Sequence, residues 1–562
     1  MQIAADRLMW AAVTDPRSPS KDPIPPATAA KPPAAANQRK SSYHVSAAVM
    51  LSRVLGLVRE IVFSSLFGGT RAYECFIAAF RAPNLLRDLF AEGALSTAFV
   101  TTFSKTRDRD GVDAAWALAR KVLTLTAIFM GILTLAGIVF APQIMAAMTS
   151  GFSPEEQALA TRLARVMFPF ILLVSLAALA MGMLNSCRVF FLPALASCFF
   201  NLGSVFVGGL VAWWMDPDFG PLALVGMAIG VVAGGLFQWL VQLPALRQQG
   251  FRFRPDFRWR DPGVRKVLQL MGPAVIAGSA VQVNVMVNTS FASHLAEGSM
   301  VWLNNAFRLM QFPLGVFGVA VGTVALPELA RMAAANNFSA FGKRIGEGLR
   351  LVLFLNVPSA IGLAVLADPL MALLYEHGRF GPHDRAMAAS ALQAYAFGLL
   401  GYSALKVLAP AFYAIDRRNL PMYVSFLSIG VNAGLNAWFI YGMHWGHKAL
   451  AGSTALVATL NFLILYALLR RHVGSLDTRR GIRELARILL ATALMGGLCQ
   501  ASWSVSSSWY LASPLILQAL WTGLVVLVAA AFFFAACTWF GVEEARVVWS
   551  GIQKKLGSRR TG

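Results

Sequence analysis

The chain has 562 residues, 57% of them hydrophobic and only 13% charged, with mean hydropathy +0.60, against roughly 45–50% apolar and about 25% charged in soluble domains. An apolar excess spread along almost the whole length excludes a soluble multidomain protein and fits a polytopic membrane bundle. The formal net charge of +21 would also suit a nucleic-acid protein, so the positions of the charges must decide.

Residues Met1 to Tyr43 are rich in Pro, Ala, Ser and Lys/Arg without a cleavable signal pattern, and predict a disordered cytosolic tail over 1–43. From Val45 onward about fourteen segments are long enough to cross about 30 Å of hydrocarbon at about 1.5 Å per residue. In chain order they cover about 45–67, 72–103, 114–146, 160–184, 190–214, 222–245, 266–293, 300–329, 348–375, 385–414, 419–442, 449–470, 484–509 and 513–540. The intervening loops alternate in charge. One set is basic: Lys105 to Arg109, Arg188, Arg247 to Lys266, Lys343-Arg344, Arg417-Arg418, Arg470 to Arg487, and Lys554 to Arg560. The other is acidic, mixed or neutral: Glu155-Glu156, Asp216 and Asp218, Glu297, Glu376 to Asp384, His444 to Lys448, and Ser502 to Ser508. Basic loops stay in the cytoplasm, so both termini are expected inside, the number of spans is even, and the positive charge is a topology signal with some attraction to anionic membrane lipids. No nucleic-acid partner is expected. The five cysteines (Cys75, Cys187, Cys198, Cys499, Cys537) show no metal-ligand spacing and read as packing residues.

Span one carries Arg53, Arg59 and Glu60. At about 2.5–3.5 kcal/mol each, three such groups would cost about 8–10 kcal/mol against lipid, so they must face protein or water. Arg53 and Glu60, seven apart, share a face, whereas Arg59 points about 100° from Glu60, so an internal ion pair is expected to explain one arginine and not both. In span two, Glu74, Arg81 and Asp88 recur every seven residues and Glu92 follows Asp88 by one turn, a charged stripe. Pro83 interrupts the hydrogen-bond ladder, and Asn84 is placed to satisfy the freed backbone, an arrangement tolerated where it lines a cavity. Span eight holds Arg308, about 12 Å from its outer edge, with Gln311 one turn on. Lys406 is an isolated cation in span ten. Arg53 and Arg87 lie nearer the cytoplasmic side, Arg59 and Arg308 nearer the outer side. Guanidinium's planar fork suits phosphate, so this ladder suits an anionic group handed across the membrane; internal salt bridges to Glu60, Glu74, Asp88 and Glu92 are the structural alternative.

Asn288, Asn432, Asn436 and Thr454 are weaker signals in spans seven, eleven and twelve. Their oxygens could hold a monovalent cation, but interhelical hydrogen bonding is the favoured reading. The His444-Trp-Gly-His447 turn has no third ligand and reads as a solvated loop. No G-x-x-x-x-G-K-[ST], H-E-x-x-H or G-x-S-x-G is present, so transport is a better class than enzyme. No cofactor or metal is expected; a coupling ion or the membrane potential would supply the drive.

Ser52-Arg53-Val-Leu-Gly56-Leu-Val-Arg59-Glu60 and Phe80-Arg81-Ala-Pro83-Asn84-Leu-Leu-Arg87-Asp88-Leu-Phe90-Ala-Glu92-Gly93-Ala94 closely resemble the amino-terminal signature of the MurJ (MviN) lipid II flippases. So do the run Arg308-Leu-Met-Gln311-Phe312-Pro313-Leu-Gly315-Val-Phe-Gly318 and the run Lys406-Val-Leu-Ala-Pro410-Ala-Phe412-Tyr413. The resemblance covers about residues 45–545. It implies an all-α fold of the exporter superfamily that includes MATE proteins, with about fourteen transmembrane helices. Two six-helix lobes at 44–246 and 266–471 would be joined by a basic cytoplasmic linker at 247–265. A pair of helices at 472–541 would form a groove for a lipid tail, and a basic tail would close the chain at 542–562. It further implies that Arg53, Arg59, Arg87 and Arg308 line a cationic cavity, supported by Glu60, Glu74, Arg81, Pro83, Asn84, Asp88, Glu92, Gln311 and Lys406. The family's usual Asp is Glu at 60 and at 74, and the acid often following the span-eight arginine is Gln311, which leaves Arg308 without an acid in its own next turn. The implied function is movement of undecaprenyl-linked peptidoglycan precursor (lipid II) across the bacterial inner membrane by alternating access, without chemical change. A MATE-like exporter of drugs or of another polyprenyl-linked glycan, and a non-transporting scaffold for wall-synthesis enzymes, are the competing readings; protein partners are not indicated.

Overall fold

The computed structural model describes residues 35–315, 328–417 and 419–546, the side chains of 35–44, 46, 91–94 and 277 excepted. It is helical throughout, with no strand among the described residues. Ten helices, from Val112–Val139 to Leu515–Trp539, are long and apolar enough to cross a membrane, and they coincide with spans three to six and nine to fourteen. Span seven is a helix pair, Pro262–Ile276 and Gly278–Ser293, bent by 41°. Spans one, two and eight are not among them. Spans one and two carry the charged stripes, and for span eight only Ser299–Pro313 and the two residues after it are described, 316–327 lying outside. The first helix begins at Ala35, upstream of the tail boundary expected at Tyr43. The rest of the amino-terminal tail and the basic tail from 547 lie outside the described residues.

Helix ends follow from local chemistry. Ser153 and Glu156 form a reciprocal capping box, and Thr70, Asp261 and Asn337 accept backbone N–H groups at other starts. Pro83 does not end its helix. The α-helix Arg71–Leu86 runs through it and passes into a π-helix at Arg87–Leu95. No hydrogen bond of the Asn84 side chain is found among the described residues. The wider turn progressively rotates the positions after Arg87, so the charged stripe expected along span two keeps the α-helical spacing from Glu74 to Arg81 and loses it by Glu92.

Spans five and six lie backbone to backbone. A Cβ on Gly230 would fall 2.4 Å from Gly208 Cα, one on Gly226 2.4 Å from Ala212 N, and one on Gly234 2.4 Å from Phe200 O. Spans thirteen and fourteen pack on span nine through Phe354, Val357, Ile488, Met495 and Phe533. Buried Arg350 completes that junction at 3.0 Å from both Asp477 and Glu544.

The odd-numbered turns gather on one face. Arg379 N–H donates to Ser65 O (2.8 Å) and its guanidinium to Phe219 O (2.7 Å). Gly151 N–H reaches Ser293 Oγ (3.0 Å), and Tyr510 Oη donates to Pro369 O (2.9 Å). On the opposite face the basic loops meet: Arg107 donates to Ser186 O, Lys121 pairs with Asp261, and Asp256 N–H donates to Thr124 Oγ1 (3.1 Å). The loop charges thus segregate to two ends of one bundle, as their alternation in sequence predicts. In the linker, the Arg258 guanidinium hydrogen-bonded to Asp256 pulls that carboxyl down to about 2. Burial pushes Asp261 up, but hydrogen bonds from Lys121 and Gly263 outweigh it and the carboxyl ends below its usual value.

Candidate functional site

Glu60 joins the two halves of the bundle. Its Oε1 accepts from Arg59 Nη2 at 2.7 Å and from Arg308 Nη2 at 2.9 Å, and its Oε2 accepts from Asn304 Nδ2 at 3.1 Å. One turn further on, Asn305 Nδ2 donates to Ser64 Oγ at 2.9 Å. Two guanidinium groups from spans one and eight therefore share one carboxylate, which leaves one positive charge in excess. Arg59 is fixed from behind, its Cζ 5.2 Å from the Phe200 ring and 6.0 Å from Phe80. Its side chain is 8% exposed, whereas Arg308 is 40% exposed and faces open space.

This corrects the face argument made for span one. Glu60 pairs with its neighbour Arg59 and not with Arg53, because the long arginine side chain spans the 100° between adjacent positions. Arg53 is exposed, makes no ion pair among the described residues, and lies against span eight, where a Cβ on Gly315 would be 1.8 Å from its Nη1. Arg87 pairs with Asp88 at 2.7 Å. Gln311 and Lys406 are exposed. Arg81 donates to Thr289 Oγ1 of span seven (2.8 Å), and Pro83 is buried within its helix. The side chain of Glu92 lies outside the described residues.

Glu74 belongs to a second cluster, on the acidic-loop face. Fully buried, it accepts from Arg71 Nη1 (2.6 Å) and from Met300 N–H (2.8 Å), while Arg71 N–H donates to Glu297 Oε1 (2.6 Å) and its guanidinium to Leu295 O (3.2 Å). With the Arg379 and Gly151 contacts, these bonds seal that face between the two halves. Arg71, Glu297 and Arg379 are not among the candidate site residues read from the sequence, where Glu297 enters only as a loop charge. They stand at span ends, where a charge looks ordinary, and only the fold reveals their partners.

The amides of spans seven and eleven bond to one another. Asn288 Oδ1 accepts from Asn432 (2.6 Å) and Asn436 (2.8 Å), and Asn284, absent from the sequence-based set, accepts from Asn432 (3.0 Å). Asn432 Oδ1 is buried with no partner among the described residues. From span twelve it is Ser453, and not Thr454, that joins by donating to Asn436; Thr454 bonds back to Leu450 O at 2.6 Å. His444 is exposed as expected of a solvated turn, but His447 is buried, 3.0 Å from Ser390 Oγ and from Met387 O. No group of three or more His, Cys, Asp or Glu residues could hold a metal among the described residues. The cysteines are all free, and all but half-buried Cys187 are buried.

The sequence and its all-helical bundle have known counterparts. A family model described as lipid II flippase MurJ matches residues 63–520. A probable lipid II flippase MurJ of Vibrio cholerae is 35% identical over 467 residues, covering 82% of this chain and 88% of that one. The lipid II flippase MurJ of Burkholderia cenocepacia is 35% identical over 498 residues, 87% of this chain and 95% of that one. Among solved structures, a lipid II flippase MurJ in an inward closed conformation superimposes with TM-score 0.69 at 24% identity over 87% of this chain and 98% of that one. A multidrug resistance MATE family transporter in an inward-facing conformation gives TM-score 0.63 at 14% identity, over 78% and 99% of the two chains, and shares the fold. By the extent of the family match and the identity of these relatives, the chain belongs to the MurJ lipid II flippase family.

Proposed function

We propose that this protein flips lipid II across the inner membrane by alternating access, and that Arg59 and Arg308, assisted by Arg53 and Arg87, hold its diphosphate. The relatives named as lipid II flippases support the substrate. The observation that carries the site is the sharing of Glu60 by two arginines from opposite halves. A diphosphate offers more acceptor oxygens and more negative charge than one carboxylate, so it outcompetes Glu60 for the half-exposed Arg308. Because Arg59 and Glu60 are adjacent on one helix, they travel as a neutral pair, and separation of the halves leaves Arg308 as the bare cation that meets the anion.

In this reading the basic-loop face is cytoplasmic and both termini are inside. The sealed acidic-loop face is then periplasmic, and lipid II loads from the cytoplasm. The polyprenyl chain stays in lipid along spans thirteen and fourteen, and the sugar-peptide occupies the wet space between the halves. An inside-negative potential favours outward movement of the diphosphate by about 2.3 kcal/mol per charge per 100 mV, which supplies a drive without a cofactor.

The test is complementation of a depletion strain by Arg59→Ala and Arg308→Ala, with lipid II exposure read by an external probe. Both variants are expected to insert and to leave lipid II inaccessible from outside. Full exposure with either variant overturns the role given to these arginines.

A further inference from the structure

We propose that a groove between spans ten, eleven and twelve, opening at the acidic-loop face, binds one anionic phospholipid, one of its acyl chains inside and its phosphate at Lys448. The groove encloses about 680 Å³ and is walled by Phe397 of span ten, by Phe439 and Trp445 at the end of span eleven, and by span twelve from Lys448 to Thr459. The eleven helical rises from Lys448 to Thr459 descend about 16 Å, roughly half of the ~30 Å hydrocarbon thickness, so the groove is one leaflet deep.

Gly452 lies on its wall, and a Cβ there would meet nothing within 4 Å. Glycine inside a helix is destabilising relative to alanine, and here no protein atom uses the space it leaves. Elsewhere between the same two helices the packing is tight: a Cβ on Gly398 would fall 2.7 Å from Ala455 Cα, and one on Gly401 2.6 Å from Ala458 C. Phe397 is 71% exposed, so the groove opens sideways to the bilayer.

Charge at the mouth completes the argument. Lys448 is the one ionisable residue of the lining; it is exposed and has no ion pair among the described residues. Trp445 beside it on the groove wall is exposed, as are Trp438 and Tyr441 at the end of span eleven, amphipathic rings of the kind that mark head-group level. A lone ammonium at that level above an apolar slot one leaflet deep matches a phospholipid that sets its phosphate there and one of its two leaflet-length acyl chains in the slot. A polyprenyl chain is longer than the slot and would overrun it.

The full-length protein is placed in phosphatidylcholine bilayer discs doped with acyl-diazirine phosphatidylglycerol or, separately, acyl-diazirine phosphatidylcholine, and the cross-links are mapped by mass spectrometry. Discs present both leaflets to the probe, so the result is independent of the membrane orientation and of the transport function argued above. Residues 438–460 are expected to be labelled several-fold more by the phosphatidylglycerol probe. Gly452→Leu fills the slot and removes that labelling, Lys448→Gln brings the two probes level, and excess polyprenyl diphosphate changes nothing. Equal labelling by the two probes in the parent chain, undiminished labelling of Gly452→Leu, a preference for phosphatidylglycerol that persists in Lys448→Gln, or displacement by polyprenyl diphosphate each overturns the proposal.

Discussion

Replacing the two arginines of the Glu60 cluster one at a time should give unequal stability losses and the same functional outcome. Arg308→Ala leaves the Arg59–Glu60 pair at 2.7 Å intact and removes a partner that is 40% exposed, a class of contact worth about 0.2–1 kcal/mol. Arg59→Ala strips an 8% exposed carboxylate of its nearest cation, and breaking such a buried pair costs about 3–5 kcal/mol. Arg308 still reaches Glu60, which brings that loss toward the lower limit. The ring contacts with Phe200 and Phe80 also disappear, worth about 0.5–1 kcal/mol, so the total is about 3–4 kcal/mol. Unfolding of the purified chain is followed by maleimide labelling of Cys75, Cys198, Cys499 and Cys537, all buried when folded. The expected result is an Arg308→Ala variant within about 1 kcal/mol of the parent and an Arg59→Ala variant about 3 kcal/mol below it. Equal destabilisation, or a larger loss for Arg308→Ala, refutes the division into a fixed and a free arginine.

Four further outcomes follow from the geometry. Gly315→Val places a Cβ 1.8 Å from Arg53 Nη1, so the flexible arginine swings away; external exposure of lipid II should fall several-fold while thermal stability holds. Asn288→Ala removes an acceptor shared by Asn432 and Asn436 and should cost about 0.6–1.7 kcal/mol in an unfolding titration, whereas Thr454→Ala, which loses only a bond within its own helix, should cost less. Gly230→Leu collides with the Gly208 backbone and should lose at least the 1–3 kcal/mol or so typical of overpacking, read as lower yield and earlier cysteine labelling. Asp256 titrates near 2 when folded against about 3.9 unfolded, so its support for the linker is complete above about pH 4 and is lost as the pH falls through about 2. Difference infrared spectra against Asp256→Asn should show the carboxylate band surviving at pH 3, and Arg258→Ala should move its midpoint to about 4.

Hydropathy located the helices and loop charge sorted their ends, because burial in lipid and exclusion of cations from one side act on composition, which one sequence displays in full. Arg59 and Arg308 stood out for the same reason: a charge in mid-span is costly wherever its partner lies. The partner itself was not legible. Glu60 meets Arg308 across 248 positions, and helical periodicity assigned it to Arg53 by treating side chains as short spokes. The stripe drawn from Glu74 through Arg81 and Asp88 to Glu92 was misjudged at its far end for a different reason, since the π-helix at Arg87–Leu95 changes the period on which that end was drawn. Ser453 displaced Thr454 because a hydroxyl on a helix has its own carbonyl four residues back as an alternative acceptor, a choice that packing decides.

The glycine seam between spans five and six bears on how force is transmitted when the halves rock. With main chains in contact at Gly208–Gly230 and at Ala212–Gly226, neither helix has side-chain cushioning against which to slide or twist. The two behave as a single thick shaft. In the alternating access proposed above, bending is expected where the backbone is already irregular, at the 41° elbow of span seven and the widened turns after Leu86, while the shaft carries Phe200, one wall of the aromatic clamp around Arg59.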